Sequence, residues 1–137
     1  MKILGRYRIP FGIKGGGHSL NPGFSSTTGV QISMARFRQL HYHSTNQTVD
    51  LGAGLLWGDV YSGLQSHNIT VIGGRVSTVG VAGLILGGGY SWKSNRYGLS
   101  IDHVLEYQVI VNGLDQMIRF KREFPFSLLL PMVVLFL

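Results

Sequence analysis

Glycine sets the strongest limit on how this chain can fold. Of its 20 glycines, Gly15, Gly16 and Gly17 are consecutive, as are Gly87, Gly88 and Gly89, and seven lie between Gly73 and Gly89. A residue without a Cβ lets another backbone, or a ligand, come close, at a cost of roughly 0.5–1 kcal/mol relative to alanine inside a regular element. Clusters of this kind belong to tight loops. Their neighbours are Val, Ile, Leu, Tyr and His, not the serine repeats of a flexible linker.

Around these loops the pattern predicts mixed short elements. Residues 11–14 read as a strand, 15–28 as a long loop, 29–32 as a strand, and 33–40 as a short helix with Ser33 as its N-cap. Residues 48–52 read as a strand. Leu56, Val60 and Leu64 repeat at i, i+4, which predicts an amphipathic helix over 57–65. Val71 and Ile72 read as a stub of strand. Residues 105–111 are a further strand, Asn112-Gly113 is a strong hairpin turn, and 116–120 is the returning partner. Strands and helices in this mixed order give an α+β fold. No internal repeat is visible.

With 137 residues the chain is sized for one domain with a modest core. Only 13% of residues are charged, against about 25% in a typical soluble domain. Such a chain is mostly interior or part of something larger. Its net charge of +6 is scattered: Lys2, Arg6 and Arg8 at one end, Arg119, Lys121 and Arg122 near the other, with no basic stripe between. No nucleic-acid partner is expected, because a basic footprint clusters on one face; scattered cations suit an anionic ligand such as a pyrophosphate. There is no cysteine, which excludes disulfides and thiolate metal sites and leaves the redox compartment open. Residues 1–10 hold no apolar run of signal-peptide length, and localisation stays open. Residues 124–137, FPFSLLLPMVVLFL, form 14 uncharged positions with Pro125 and Pro131 inside. A membrane-spanning helix needs about 20 apolar residues; this stretch reads as an apolar tail and no span is expected.

Two motifs can carry chemistry. The first is Lys14-Gly-Gly-Gly-His18-Ser19, on a loop directly after a strand. Consecutive glycine amides can form an anion-binding nest, with an imidazole and a hydroxyl alongside; a surface loop with a solvated histidine is the plainer alternative. The second runs from Gly73 to Tyr90 through Thr78, Val79, Gly80 and Gly83. Small residues there would let backbone lie against a flat or phosphorylated ligand, or would simply pack a tight turn. Two nucleotide signatures fail. Trp92-Lys93-Ser94 has no glycine before its lysine, as a Walker loop needs, and Gly52-Ala53-Gly54 lacks the third glycine of a dinucleotide fingerprint. His41 and His43 share a strand face without an evident third ligand, so no metal site is expected. His67 reads as the end of a helix, and Trp57 and Tyr61 as core.

Taken together, three runs resemble the p-cresol-methylhydroxylase-type FAD-binding domain of FAD-linked oxidases, and look most like the fungal berberine-bridge-enzyme-like group. They are PFGIKGGGHSLNPGFSSTTGVQISMARF (residues 10–37), VDLGAGLLWGDVY (49–61) and GGRVSTVGVAGLILGGGYSWKSNRYGLSIDHV (73–104). The resemblance covers about residues 10–120. It implies mixed strands with short helices and two Gly-rich flavin loops, with FAD as cofactor. His18 matches the family histidine that bonds covalently to the methyl on the flavin's benzenoid ring. Gly15, Gly16, Gly17 and Ser19 match the loop that cradles the pyrophosphate. Thr78, Val79, Gly80 and Gly83 match the second flavin loop, and Tyr97, Gly98 and Asp102 a supporting segment after it. Val76 stands where some relatives carry a second, cysteine tether, so any attachment here is single. Gly15 stands where relatives often have Ser.

The resemblance also sets what to expect of the whole. Residues 1–122 read as a partial FAD-binding domain and 123–137 as an apolar tail outside the family pattern. The family's first strand–helix unit, the later part of the FAD domain, the substrate domain and the catalytic base are not in the sequence, so no catalytic residue is assigned. The function implied is that of a flavoprotein oxidase fragment, moving hydride from an organic small molecule to FAD and then to oxygen. The alternative is a non-catalytic truncated product with weak or no FAD binding.

Overall fold

The computed structural model describes residues 2–110 and 117–121, with side chains from residue 3 to residue 110. In chain order the elements are α1 (Lys2–Arg6), β1 (Phe11–Lys14), β2 (Val30–Ser33), β3 (Leu40–His43), β4 (Thr48–Leu51), α2 (Trp57–Gln65), α3 (Val81–Leu86), α4 (Ser94–Tyr97), β5 (Glu106–Ile110) and β6 (Met117–Lys121). A 3₁₀ turn, Ser100–His103, leads into β5. The strands pair two by two: β1 with β2 in parallel, β3 with β4 and β5 with β6 antiparallel. This is the expected α+β arrangement of mixed strands and short helices.

The core gathers around α2. Trp57, Val60 and Leu64 form its inward face and are all but fully buried. Met34, Leu51, Ala53 and Leu55 close on this face from one part of the chain, Val81 and Ile85 of α3 from another. In β5 the period-2 alternation turns Tyr107 and Val109 inward with Val104 before them. Burying a Val or Leu side chain contributes about 1.5–3 kcal/mol, so this cluster is what orders short elements that would be marginal alone.

The helix expected over 57–65 forms with those bounds, and β1 spans the residues read from the sequence. Trp57 is core, as expected, and Tyr61 is half-buried with its hydroxyl donating to Gly74 O at 2.8 Å. The helix expected over 33–40 does not form. Ser33 ends β2; its hydroxyl does accept the Ala35 amide at 3.3 Å, as an N-cap would, but no helix follows. The carbonyls of Phe37 and Gln39 instead accept the amides of Gly54 and Gly52, both at 2.8 Å. The Phe37 amide closes a tight turn on Met34 O at 2.8 Å, and by Leu40 the chain is paired with Leu51, so it turns and continues into β3. Val71 and Ile72 are not a strand. His67 lies just past the end of α2, its amide donating to Leu64 O at 3.0 Å and its ring tilted against Tyr42. The hairpin turn at Asn112-Gly113 and the apolar residues 124–137 fall outside the described residues. Among the described residues no helix is long and apolar enough to cross a membrane.

Two stability outcomes follow from this core. Leu64→Ala should cost about 2–5 kcal/mol, read as a lowered midpoint in chemical denaturation at unchanged slope. Burial pushes the Tyr107 hydroxyl up from its usual 10.0 to about 12. Its proton stays on in the folded chain while the unfolded chain has already released it. The stability it supports is therefore full below about pH 10 and lost as pH rises towards about 12. Denaturation midpoints across that window should fall in the wild type, and less steeply in Tyr107→Phe.

Candidate functional site

The two glycine-rich loops named from the sequence meet. Strand β1 ends at Lys14 and delivers Gly15, Gly16 and Gly17 beside the 77–80 segment. A Cβ on Gly16 would stand 2.6 Å from Gly80 N, and a Cβ on Gly80 would stand 2.5 Å from Gly16 N. Two backbones are in direct contact here, and no side chain fits between them. One step further along, His18 Nε2 and Thr78 Oγ1 lie 3.1 Å apart, joining residues 60 positions distant in sequence.

The second loop is held by the entry of α2. Trp57 N–H donates to Val79 O at 3.0 Å, Gly58 N–H to Ser77 O at 2.9 Å, and Val81 N–H to Leu55 O at 2.9 Å. The Asp59 carboxylate fixes that entry by accepting the Leu56 amide at 3.1 Å, and Arg38 closes on the same oxygen at 2.9 Å. Capping of this kind satisfies an amide left over at a helix start.

What remains open fits an anionic, flat group. Among the described residues the amides of Gly16, Gly17, His18 and Ser19 donate no hydrogen bond. Gly17 has φ +71, which turns the loop outward. The Lys14 side chain folds over Gly17, its ammonium 3.3 Å from where a Gly17 Cβ would be. A run of unpaired amides beside a cation is the donor set a pyrophosphate takes. The position of a Cβ on Gly83 has nothing within 4 Å, and Gly83 is exposed on α3. That glycine is not explained by packing and leaves room for a ligand face.

The remaining sequence-named residues have other surroundings. The Ser19 hydroxyl accepts the Asn21 amide at 3.2 Å. Val79 is half-buried between the loop and the core. Tyr97 and Asp102 sit in a separate segment: Asp102 accepts the Leu99 amide at 2.8 Å, and His103 bonds Tyr97 O at 2.7 Å. This segment docks through Ser100, whose amide and hydroxyl both donate to Gly89 O, at 2.8 and 2.9 Å. No bond from Tyr97 or Asp102 to the 15–19 loop occurs among the described residues. Gly73 and Gly74, for which the sequence left a ligand-facing loop and a packed turn both open, are buried against the Trp57 ring. Likewise Gly52 and Gly54 are glycine because the backbone of Met34 and Phe37 passes over them.

Sequence reasoning missed two parts of the site. Helix α3 was read as glycine-rich loop, although Val81 and Ile85, four apart and both buried, carry its signal. Arg75, at the mouth of the second loop, stacks between Tyr90 and Trp92, 5.0 Å from each ring centroid; no local pattern marks that contact. Elsewhere, His43 pairs with Asp50 at 2.9 Å. A cavity of about 610 Å³ is lined by His43, Asp50, Leu51, Trp57, Ile85 and His103, none of them in the two loops. The chemistry of the loops does not use it.

The comparisons with known proteins agree with this geometry. A family profile described as FAD binding domain matches residues 1–118. The chain is 44% identical over 106 residues to the FAD-dependent monooxygenase tpcD of Cochliobolus heterostrophus, covering 76% of this chain and 20% of that protein. It is 46% identical over 105 residues to an uncharacterized FAD-linked oxidoreductase of Arthroderma benhamiae, covering 75% of this chain and 21% of that one. The solved structure of Physcomitrella patens BBE-like 1 superposes with a TM-score of 0.79 at 29% identity, over 88% of this chain and 26% of that chain. The chain thus spans about a fifth of the length of the curated relatives it matches.

The contact between the loops predicts opposite outcomes for two glycines. Gly80→Ala forces a methyl into the Gly16 backbone and should destabilise the fold by about 1–3 kcal/mol. Gly83→Ala meets open space on a helix and should leave thermal stability unchanged or raised by roughly 0.5–1 kcal/mol. Paired thermal melts of the two variants check this.

Proposed function

As the chain belongs to the FAD binding domain family, we propose that its residues 1–122 form a flavin cradle and that His18 tethers the flavin covalently. The observation that carries this reading is the meeting of the two loops. His18 and Thr78 bond at 3.1 Å across the Gly16–Gly80 contact, beside four unpaired amides.

The roles divide by chemistry. Gly15, Gly16, Gly17 and Ser19 hold the pyrophosphate through backbone donors, and Lys14 offsets its charge. Thr78, Val79, Gly80 and Gly83 line the flavin, with Gly83 supplying the space a Cβ would close. Tyr97 and Asp102 support from outside: Asp102 fixes the 99–102 turn, and Ser100 ties that turn to Gly89, in the glycine run that follows α3. Val76 has no thiol, so the attachment is single. The position of His18 on an exposed loop supports access to a cofactor from the solvent side.

Bound FAD would supply a two-electron acceptor, taking hydride from an organic small molecule and passing the electrons to oxygen. The protein's part is to orient that cofactor and shield it. We propose FAD-dependent oxidoreduction as the activity of the whole protein, with the substrate-choosing residues outside this sequence and residues 123–137 outside the flavin unit. A second reading, a product that binds flavin weakly and does not turn over, draws on the exposure of Trp92 and Phe24, at 79% and 77%, large apolar surfaces that a partner segment normally covers.

The test is a visible absorption spectrum of the purified chain before and after acid precipitation. Flavin absorbance that stays with the precipitated protein in the wild type and is lost in His18→Ala supports the tether. A wild type that releases all its flavin into the acid supernatant rejects it, and a colourless protein favours the second reading. Gly83→Ala, folded but with at least tenfold weaker flavin uptake, is the outcome expected if that position faces the ring; a 1.4 kcal/mol loss of contact is tenfold in affinity.

A further inference from the structure

Resting on the tether proposed above, we infer that Thr78 is a positioning residue that decides which nitrogen of His18 is free to bond to carbon. The two imidazole nitrogens are not equivalent here. Nε2 is engaged by Thr78 Oγ1 at 3.1 Å, while Nδ1 bonds no described residue. A neutral imidazole carries its proton on one nitrogen and its lone pair on the other, and the hydrogen bond made by one sets the state of the other. With Nε2 held by Thr78 Oγ1, Nδ1 is the nitrogen left exposed; in the tautomer we assign, Thr78 Oγ1 accepts from Nε2–H and the lone pair on Nδ1 is available as the nucleophile.

A hydroxyl suits this position because it can reverse its role. Attachment forms a bond from Nδ1 to the carbon of the flavin's ring methyl group and breaks one C–H bond of that methyl. The methyl proton and the Nε2 proton are both released, and two electrons are left on the flavin. Dioxygen takes those electrons with two protons and leaves as hydrogen peroxide. After the step Nδ1 is fully substituted and Nε2 holds the lone pair. The same Thr78 oxygen, which accepted before, can now donate its O–H to Nε2. Carboxylate or amide-nitrogen side chains cannot serve as both acceptor and donor through one atom in this way; a serine hydroxyl can.

The placement of Thr78 is not left to its own loop. Its neighbours Ser77 and Val79 are bonded through their carbonyls to Gly58 and Trp57 at the start of α2. The Gly16–Gly80 contact fixes how near the His18 loop comes. Thr78 therefore meets His18 through the backbone register of two loops, and its own side chain is exposed, so its substitution should leave the fold intact.

The experiment uses the full chain, labelled with ¹⁵N in its histidines and produced free of flavin, as wild type, Thr78→Val and Thr78→Ser. Long-range ¹H–¹⁵N spectra read the tautomer of His18, assigned by its absence in His18→Ala. The wild type and Thr78→Ser should show the proton on Nε2, and Thr78→Val should lose that preference. Free FAD is then added in air, and acid-stable flavin is followed in time. Thr78→Val should attach flavin roughly tenfold more slowly, the factor one ordinary hydrogen bond is worth, with Thr78→Ser restoring the rate. The flavin-bearing peptide should carry its bond at Nδ1 by NMR. A proton found on Nδ1 in the wild type, a bond mapped to Nε2, or Thr78→Val attaching at the wild-type rate would each overturn the inference. A wild type that takes up no acid-stable flavin overturns the proposed function instead; the tautomer, read without flavin, still decides the role of Thr78.

Discussion

The site depends on one close approach of backbone to backbone. Gly16 and Gly80 touch with no room for a side chain on either, and through that contact two loops from distant parts of the chain share an edge. Hydrogen bonds then set the register: the carbonyls of Ser77 and Val79 on the amides of Gly58 and Trp57, and Val81 N–H on Leu55 O. Because protein interiors are close-packed, a methyl at such a point cannot be absorbed by small adjustments. The pairing of His18 with Thr78 is downstream of this contact.

The helix entry that holds the second loop is itself anchored to the core. Trp57 begins α2, donates its amide to Val79, and lays its indole on Gly73 and Gly74. One residue thus links the hydrophobic cluster to the loop that faces the ligand. Arg38 and Asp59 add an ion pair at the same corner; with Arg38 about half exposed, it orients the capping carboxylate more than it stabilises the fold. The support for the site is therefore mostly backbone and core, and the residues left exposed at its edge are the ones with chemistry: Lys14, His18, Ser19 and Thr78.

Much of this was legible in the residues, for reasons that can be named. The i, i+4 stripe of Leu56, Val60 and Leu64 gave α2 because helix periodicity is local and its inward face is apolar whatever it packs on. The first loop was legible because three consecutive glycines after a strand have few other uses. Residues 33–40 misled because their propensity was right for a helix, while the Phe37 amide closes a turn on Met34 O and the carbonyls of Phe37 and Gln39 pair with Gly54 and Gly52, 17 and 13 residues away in sequence. Helix α3 was hidden by the opposite fault: its glycine and its flanking glycine runs suggest loop, and only burial of Val81 and Ile85 makes it a helix.

The sequence alone determined the identity of the parts: two glycine-rich loops, a histidine and a threonine at their tips, an amphipathic helix, and a chain with too little charge for its own surface. Those follow from composition and short-range spacing, which act over a few residues. What the tertiary structure decided is which glycines serve the ligand and which serve the fold. Gly73 and Gly74 are glycine for Trp57, Gly52 and Gly54 for the backbone of Met34 and Phe37, Gly16 and Gly80 for each other, and Gly83 for none of the described residues. The physical reason is that a missing Cβ looks the same in sequence whatever stands opposite it, and only the packed chain says what fills the space.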